Sequence, residues 1–299
     1  MTALTVTAQT VFVGDVQSGK TYQAATVFNA QDEDGSYPFR PALVITCEGA
    51  ARVSAASMIT SPDCVHYEAG TPEEVTQILE QVFPEGHGGK PFAMVFFDGW
   101  SVLQERTKMD AQRVYQEEGN LKAAEDQRQL TNRAAARMRP TIAAWQSAAA
   151  LPQAHGCAFF STCHVAEEWR AKVGSKDYND RHRVGLKLDI APSVYKALHR
   201  EIGSIIYLLA VLPDIGTLSA DATDEELATV DRLNREGARG AVPARFALAQ
   251  PCMHGGDQLT FIKHQEGLFA AGAVPFPWRD PNFGEAFRTS PLRRKKTTT

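Results

Sequence analysis

Eight consecutive residues, Gly14-Asp15-Val16-Gln17-Ser18-Gly19-Lys20-Thr21, follow the apolar run Val11-Phe12-Val13 and complete the pattern G-x-x-x-x-G-K-T. Each fixed position in that pattern has a mechanical reason. The glycines let the backbone curl so that successive N–H groups point inward at phosphate oxygens. Lys20 places a point charge on the β- and γ-phosphates, and the Thr21 hydroxyl is a ligand for Mg²⁺. A helix expected from about Gly19 to Ala30, with Tyr22 in its first turn, aims its positive end at the same anion. The chemistry implied is binding of a nucleoside triphosphate, with ATP and Mg²⁺ as the expected cofactors. The plainer alternative is a Gly-rich turn that happens to precede a surface lysine.

A phosphate-binding loop of this kind needs a second, carboxylate site for the metal. Phe92-Ala93-Met94-Val95-Phe96-Phe97-Asp98 supplies six apolar residues that end in an acid. A carboxylate at the tip of a buried strand is costly unless a cation or hydrogen-bond donors meet it. Asp98 is therefore the second candidate metal ligand, beside Thr21, although a helix N-cap is also open to it. Leu43-Val44-Ile45-Thr46-Cys47-Glu48 repeats the design, and Glu48 is the candidate for orienting an attacking water. Ligands of open α/β sheets bind at the carboxyl edge, where both acids are expected to fall.

The elements that must position these groups are read from hydrophobic patterning. Apolar runs bounded by turn residues lie at Thr7–Val13, Ala42–Thr46, Phe92–Phe97, Cys157–Thr162 and Ser204–Leu212. Shorter ones follow at Arg245–Ala249 and Gln258–Ile262. Helical spacing marks Pro72–Phe83 and Leu130–Ala150, where Leu130, Ala134, Met138, Ile142, Trp145 and Ala149 form one face. Pro140 is expected to kink that helix or divide it. Apolar strands alternating with helices predict an α/β fold with a mainly parallel sheet covered on both faces. Residues 104–129 and 166–190 do not fit the alternation and read as irregular, polar stretches.

Composition narrows the class. Hydrophobic residues make up 43% of 299, enough for a large core, and the formal net charge of −4 gives no global basic field for nucleic acid. Five cysteines form no C-x-x-C pair, which suits a reducing compartment and argues against a zinc site. No run approaches the roughly 18 apolar residues of a membrane span. The first residues lack the basic and apolar regions of an export signal. A cytoplasmic location without membrane attachment is the expectation.

The order of these features, with a phosphate loop, a strand ending in Glu48, a strand ending in Asp98, a long helix and a strand ending in a polar residue, resembles the RecA-type ATPase core. The likeness runs over roughly residues 8 to 270, and small phage-encoded RecA-like recombinase or annealing ATPases are the most similar. It implies a RecA-like P-loop core over residues 1–275 with antiparallel C-terminal strands, and an extension with a basic tail over 276–299. In Ala158-Phe159-Phe160-Ser161-Thr162-Cys163-His164, the resemblance puts His164 at the γ-phosphate sensor position. It implies DNA-holding loops at 104–129 and 166–190. The second carries Trp169, Arg170, Lys172, Lys176, Arg181 and Arg183, suited to stacking and phosphate contact, but also five acids. Lys263, in Lys263-His264-Gln265, matches a basic position that reaches a neighbouring subunit's γ-phosphate, while Gln265 stands where related helicases have arginine. The activity implied is an Mg²⁺-dependent ATPase acting on single-stranded DNA as a homo-oligomeric ring or filament with shared active sites, in a host cytoplasm if phage-encoded. A nucleotide-gated assembly protein that binds no DNA is the alternative. Residues 213–243 and the tail Arg293-Arg294-Lys295-Lys296 receive no role.

Overall fold

The computed structural model describes residues 8–14, 18–47, 56–154, 156–171, 181–201, 204–209, 246–248, 253–254, 257–259, 278–279 and 281–290. Six strands form a continuous parallel sheet: β1 (Ala8–Val13), β2 (Ala42–Thr46), β3 (Cys64–Glu68), β4 (Met94–Asp98), β5 (Ala158–Cys163) and β8 (Ser204–Leu209), in the order β8-β1-β5-β4-β2-β3. Two short antiparallel strands extend the β8 side, β9 (Phe246–Leu248) and then β12 (Trp278–Arg279). The expectation of an α/β fold with a mainly parallel sheet between helices holds at this level.

Strand alternation divides the core into two faces. Phe12, Val44, Phe96 and Phe160 pack on one side, against α1 (Lys20–Phe28), α2 (Ala56–Ile59) and α9 (Phe283–Arg288). Val13, Ile45, Val95, Phe97 and Phe159 pack on the other. There they meet α3 (Pro72–Gln77), α5 (Trp100–Glu117), α7 (Gln127–Ala150) and α8 (Pro192–Glu201). A strand buried on both faces must be apolar at every position, which is why these runs were readable. Helix α3 starts from a capping box between Thr71 and Glu74. It continues through a π-helical turn at Ile78–Val82 into α4 (Phe83–Glu85).

Two expectations are corrected and a third is narrowed. Residues 104–129 are not an irregular loop but α5, the short α6 (Leu121–Glu125) and the start of α7. The face of α5 turned to the core is Trp100, Ser101, Leu103, Gln104, Thr107 and Ala111, and three of these six are polar, so the segment shows no apolar stripe. Pro140 does not divide α7, which runs unbroken to Ala150. Pro140 and Ala136, whose carbonyl loses its partner, both sit on the exposed side, where water serves that carbonyl. Residues 166–190 are mostly an antiparallel hairpin, β6 (Val165–Ala171) and β7 (Arg181–Leu188), with a register shift at Glu168/Trp169. With β10 (Met253–His254) and β11 (Asp257–Leu259) the hairpin forms a second sheet, ordered β10-β11-β7-β6. Among the described residues no helix is long and apolar enough to cross a membrane.

Candidate nucleotide site

The loop after β1 is built for close backbone approach. A Cβ at Gly14 would stand 2.2 Å from the Leu208 carbonyl oxygen and 2.5 Å from Ser18 Oγ, so no side chain fits there. Gly19 has φ 93°, in the left-handed region, and as N-cap of α1 contributes no side-chain hydrogen bond. The first N–H groups of α1 are thus left without a side-chain cap, the arrangement that suits an anion. Lys20 is buried, and its Nζ donates to the Gly14 carbonyl at 2.8 Å, which holds the ammonium against the end of β1. Ser18 Oγ is buried without a hydrogen-bond partner among the described residues. Tyr22, in the first turn of α1, is about half exposed at 48%. Asp15, Val16 and Gln17 lie outside the described residues.

Asp98 is where the site converges. It is 3% exposed, yet both carboxylate oxygens are met: Thr21 Oγ1 donates to Oδ2 at 2.7 Å and Thr162 Oγ1 donates to Oδ1 at 2.5 Å. Two hydroxyl donors offset the cost of a buried carboxylate. Asp98 is not the cap of α5. That role falls to Gly99, whose φ of 125° only glycine adopts without strain and whose Cβ would press on Cys47 at 3.1 Å.

Register explains why these groups meet. Thr46 is the ladder partner of both Asp98 and Glu68, and Phe97 is the partner of Ser161. Glu68, Thr46, Asp98 and Thr162 therefore form one polar row across four neighbouring strands at the carboxyl edge. The row lies on the α1 face, since Val44, Phe96 and Phe160 precede it there by two residues. Thr46 Oγ1 is 2.9 Å from His66 Nε2, which extends the row along β3. The N–H of Cys47 donates to the Asp98 carbonyl at 3.0 Å, so the chain is still beside Asp98 one residue before Glu48. Glu48 itself lies outside the described residues.

His164 follows β5 directly, and its N–H donates to Ser101 Oγ at 2.9 Å. The Cys163 thiol lies 3.2 Å from the same Ser101 oxygen. Burial pushes that thiol up to about 12, so it stays protonated and packs rather than reacts. The ladder sets Trp169 opposite Arg183, Arg170 opposite His182 and Ala171 opposite Arg181. Lys172 and Lys176, between the strands, and Lys263 and Gln265, beyond β11, lie outside the described residues.

Sequence reasoning missed Thr162, Thr46, Ser101 and Gln104. Thr162 could have been found: it stands two residues after Phe160 on an apolar strand, so it shares that residue's face. Ser101 and Gln104 carry no such sign, because only tertiary packing supplies their partners.

No protein-family model matches this chain, and no curated protein matches it.

Proposed function

We propose that this protein is an Mg²⁺-dependent ATPase of RecA-like type that acts on single-stranded DNA. The observation that carries the reading is the meeting of Thr21 and Thr162 on Asp98, next to a buried lysine and a loop whose first position, Gly14, has no room for a Cβ. The residues fit the ligand. Gly19 and the start of α1 offer backbone N–H groups, Ser18 Oγ is a buried hydroxyl without a partner among the described residues, and Lys20 supplies the charge. Thr21 and Asp98 are a hydroxyl and a carboxylate already in contact, the donor set of a hard cation. Bound Mg²⁺ would supply charge neutralisation between the phosphates.

The chain's own groups then divide the work. Lys20 offsets charge that builds on the transferred phosphoryl group, and Thr162 holds the orientation of Asp98. Glu48, just past a strand end level with Asp98, orients the attacking water. His164, leaving β5 beside Thr162, donates to a phosphate oxygen, and Lys263 of a neighbouring copy completes the site in a homo-oligomer. Single-stranded DNA is read by the hairpin, whose register sets Trp169 opposite Arg183 and Arg170 opposite His182, residue types suited to stacking and phosphate contact. One observation favours the second reading, a nucleotide-gated assembly protein: the hairpin is a paired sheet whose strand β6 also carries Glu167 and Glu168.

Steady-state ATP hydrolysis with and without Mg²⁺ tests the enzyme. Lys20→Ala is expected to lower the rate roughly 10²- to 10³-fold; hydrolysis that survives this change would remove the ATPase reading. A salt titration of single-stranded DNA binding, with and without a non-hydrolysable ATP analogue, tests the partner. Binding that is insensitive to nucleotide and salt leaves the assembly reading in its place.

A further inference from the structure

We propose that Ser101 and Gln104 are positioning residues that tie both legs of the β6–β7 hairpin to the Asp98 tip, so that the hairpin answers to what Thr21 and Asp98 hold. The inference rests on the nucleotide-binding reading above and concerns how that site reaches a second part of the molecule. Helix α5 begins two residues after Asp98, with only Gly99 between them. From its first turn, Ser101 Oγ accepts the N–H of His164, where the chain leaves β5 for the hairpin. One turn on, Gln104 Oε1 accepts the N–H of Ala191 at 2.5 Å, where the chain returns. The two legs also hold each other, since Asp189 N–H donates to the His164 carbonyl at 2.9 Å.

These bonds close a ring: Ser101 to His164, His164 to Asp189, and Ala191 back to Gln104. Ser101 and Gln104 are three residues apart and so share a helix face, and each is only 2% exposed. The ring sits between two elements that both end at Asp98. One is α5, continuous with the β4 tip. The other is β5, whose Thr162 donates to Asp98 two residues before His164. A ligand that takes the Thr21 hydroxyl from Asp98 changes how Asp98 is held, and α5 and β5 are two routes outward from it. Both routes end on the hairpin legs. Apolar packing is non-directional and would let the legs slide; two buried acceptors with fixed geometry do not.

Hydrogen–deuterium exchange of peptides covering Val165–Ala171 and Arg181–Leu188, in the full chain with and without Mg²⁺ and a non-hydrolysable ATP analogue, reads the coupling. The unaltered protein is expected to change hairpin exchange about two-fold or more on binding. Gln104→Leu and Ser101→Ala are expected to bind nucleotide within about three-fold of the unaltered affinity and to lose the hairpin response. Gln104→Glu and Ser101→Thr keep an acceptor at each position and are expected to restore it, which a loss of packing alone would not do. If Gln104→Leu fails to fold, Ser101→Ala carries the comparison. Nucleotide binding without any hairpin response, or a response undiminished in Gln104→Leu and Ser101→Ala, overturns the inference and leaves the nucleotide reading standing. Failure of the unaltered protein to bind nucleotide overturns both.

Discussion

Thr162 shows how much a single hydroxyl carries. Asp98 is buried with two donors, and replacing one of them by a methyl leaves a carboxylate oxygen without its partner. Thr162→Val keeps shape and removes only that donor. Unfolding in urea is expected to register a loss of about 1–3 kcal/mol. ATP hydrolysis is expected to fall roughly ten-fold or more and to need more Mg²⁺, because Asp98 is no longer held toward Thr21. An unchanged Mg²⁺ titration would mean that the bond supports the fold and not the metal ligand.

At the scale of elements, the helix layer is joined by Arg137 of α7, which pairs with Glu73 of α3 at 3.0 Å and with Asp110 of α5. The Arg137 hydrogen bond holds the Asp110 carboxyl below the ordinary carboxylate range. For Glu73 burial works upward, but the bonds from Arg137 outweigh it and the net displacement is also down. Carboxyls displaced down on folding stabilise the protein above their unfolded pKa, and that contribution is lost as pH falls through the folded value. The melting temperature of the unaltered protein is therefore expected to fall more steeply than that of Arg137→Met between about pH 4 and pH 2. Both acids are partly exposed, so the difference is one of slope. Parallel slopes would show that the trio contributes nothing. Helix α7 yields a second expectation. Pro140 removes a helical hydrogen bond on the exposed side, and Pro140→Ala is expected to gain about 1–3 kcal/mol in chemical denaturation. A loss instead would show that a bend at Pro140 is needed to seat Trp145 against Phe159 and Trp100.

For the whole molecule, residues 281–290 support α1, the helix that follows the Gly14–Gly19 loop. Gln23 of α1 donates to the Pro281 carbonyl at 2.8 Å and accepts from the Phe283 N–H at 3.2 Å, satisfying both ends of a buried amide. Gly284 lies so close that a Cβ would be 2.2 Å from the Thr26 carbonyl. Phe283 stacks edge-on against Phe12 of the strand that leads into the loop, with centroids 4.9 Å apart. Phe283→Ala is expected to cost about 3–5 kcal/mol. It should also weaken nucleotide binding, since α1 loses its outer support. Calorimetric unfolding and a nucleotide titration on the same sample check this; unaltered binding in a destabilised protein would separate α9 from the site.

The local chain, without tertiary contacts, determined the glycine-bounded loop after β1, the apolar strands and the acid at the end of β4. These signals are local: glycines after an apolar run mark a close turn, and a strand buried on both faces must be apolar throughout. Ala42–Thr46 was delimited to the residue for that reason. Tertiary structure alone decided the rest. The hairpin strand Val165-Ala166-Glu167-Glu168-Trp169-Arg170-Ala171 mixes charges with apolar residues and breaks its own alternation at a register shift, so its pairing could not be read locally. Edge strand β3 is half exposed and short, and it lacks the continuous apolar run of its neighbours. The polar row through Thr46, Asp98 and Thr162 exists only because parallel pairing sets three distant strand ends level. Hydrogen bonds between residues 64 or 87 positions apart, Thr162 to Asp98 and Ala191 to Gln104, are products of the assembled sheet and helices. Spacing along a chain records what a segment prefers; which distant side chain will meet it depends on the topology that brings both to one edge.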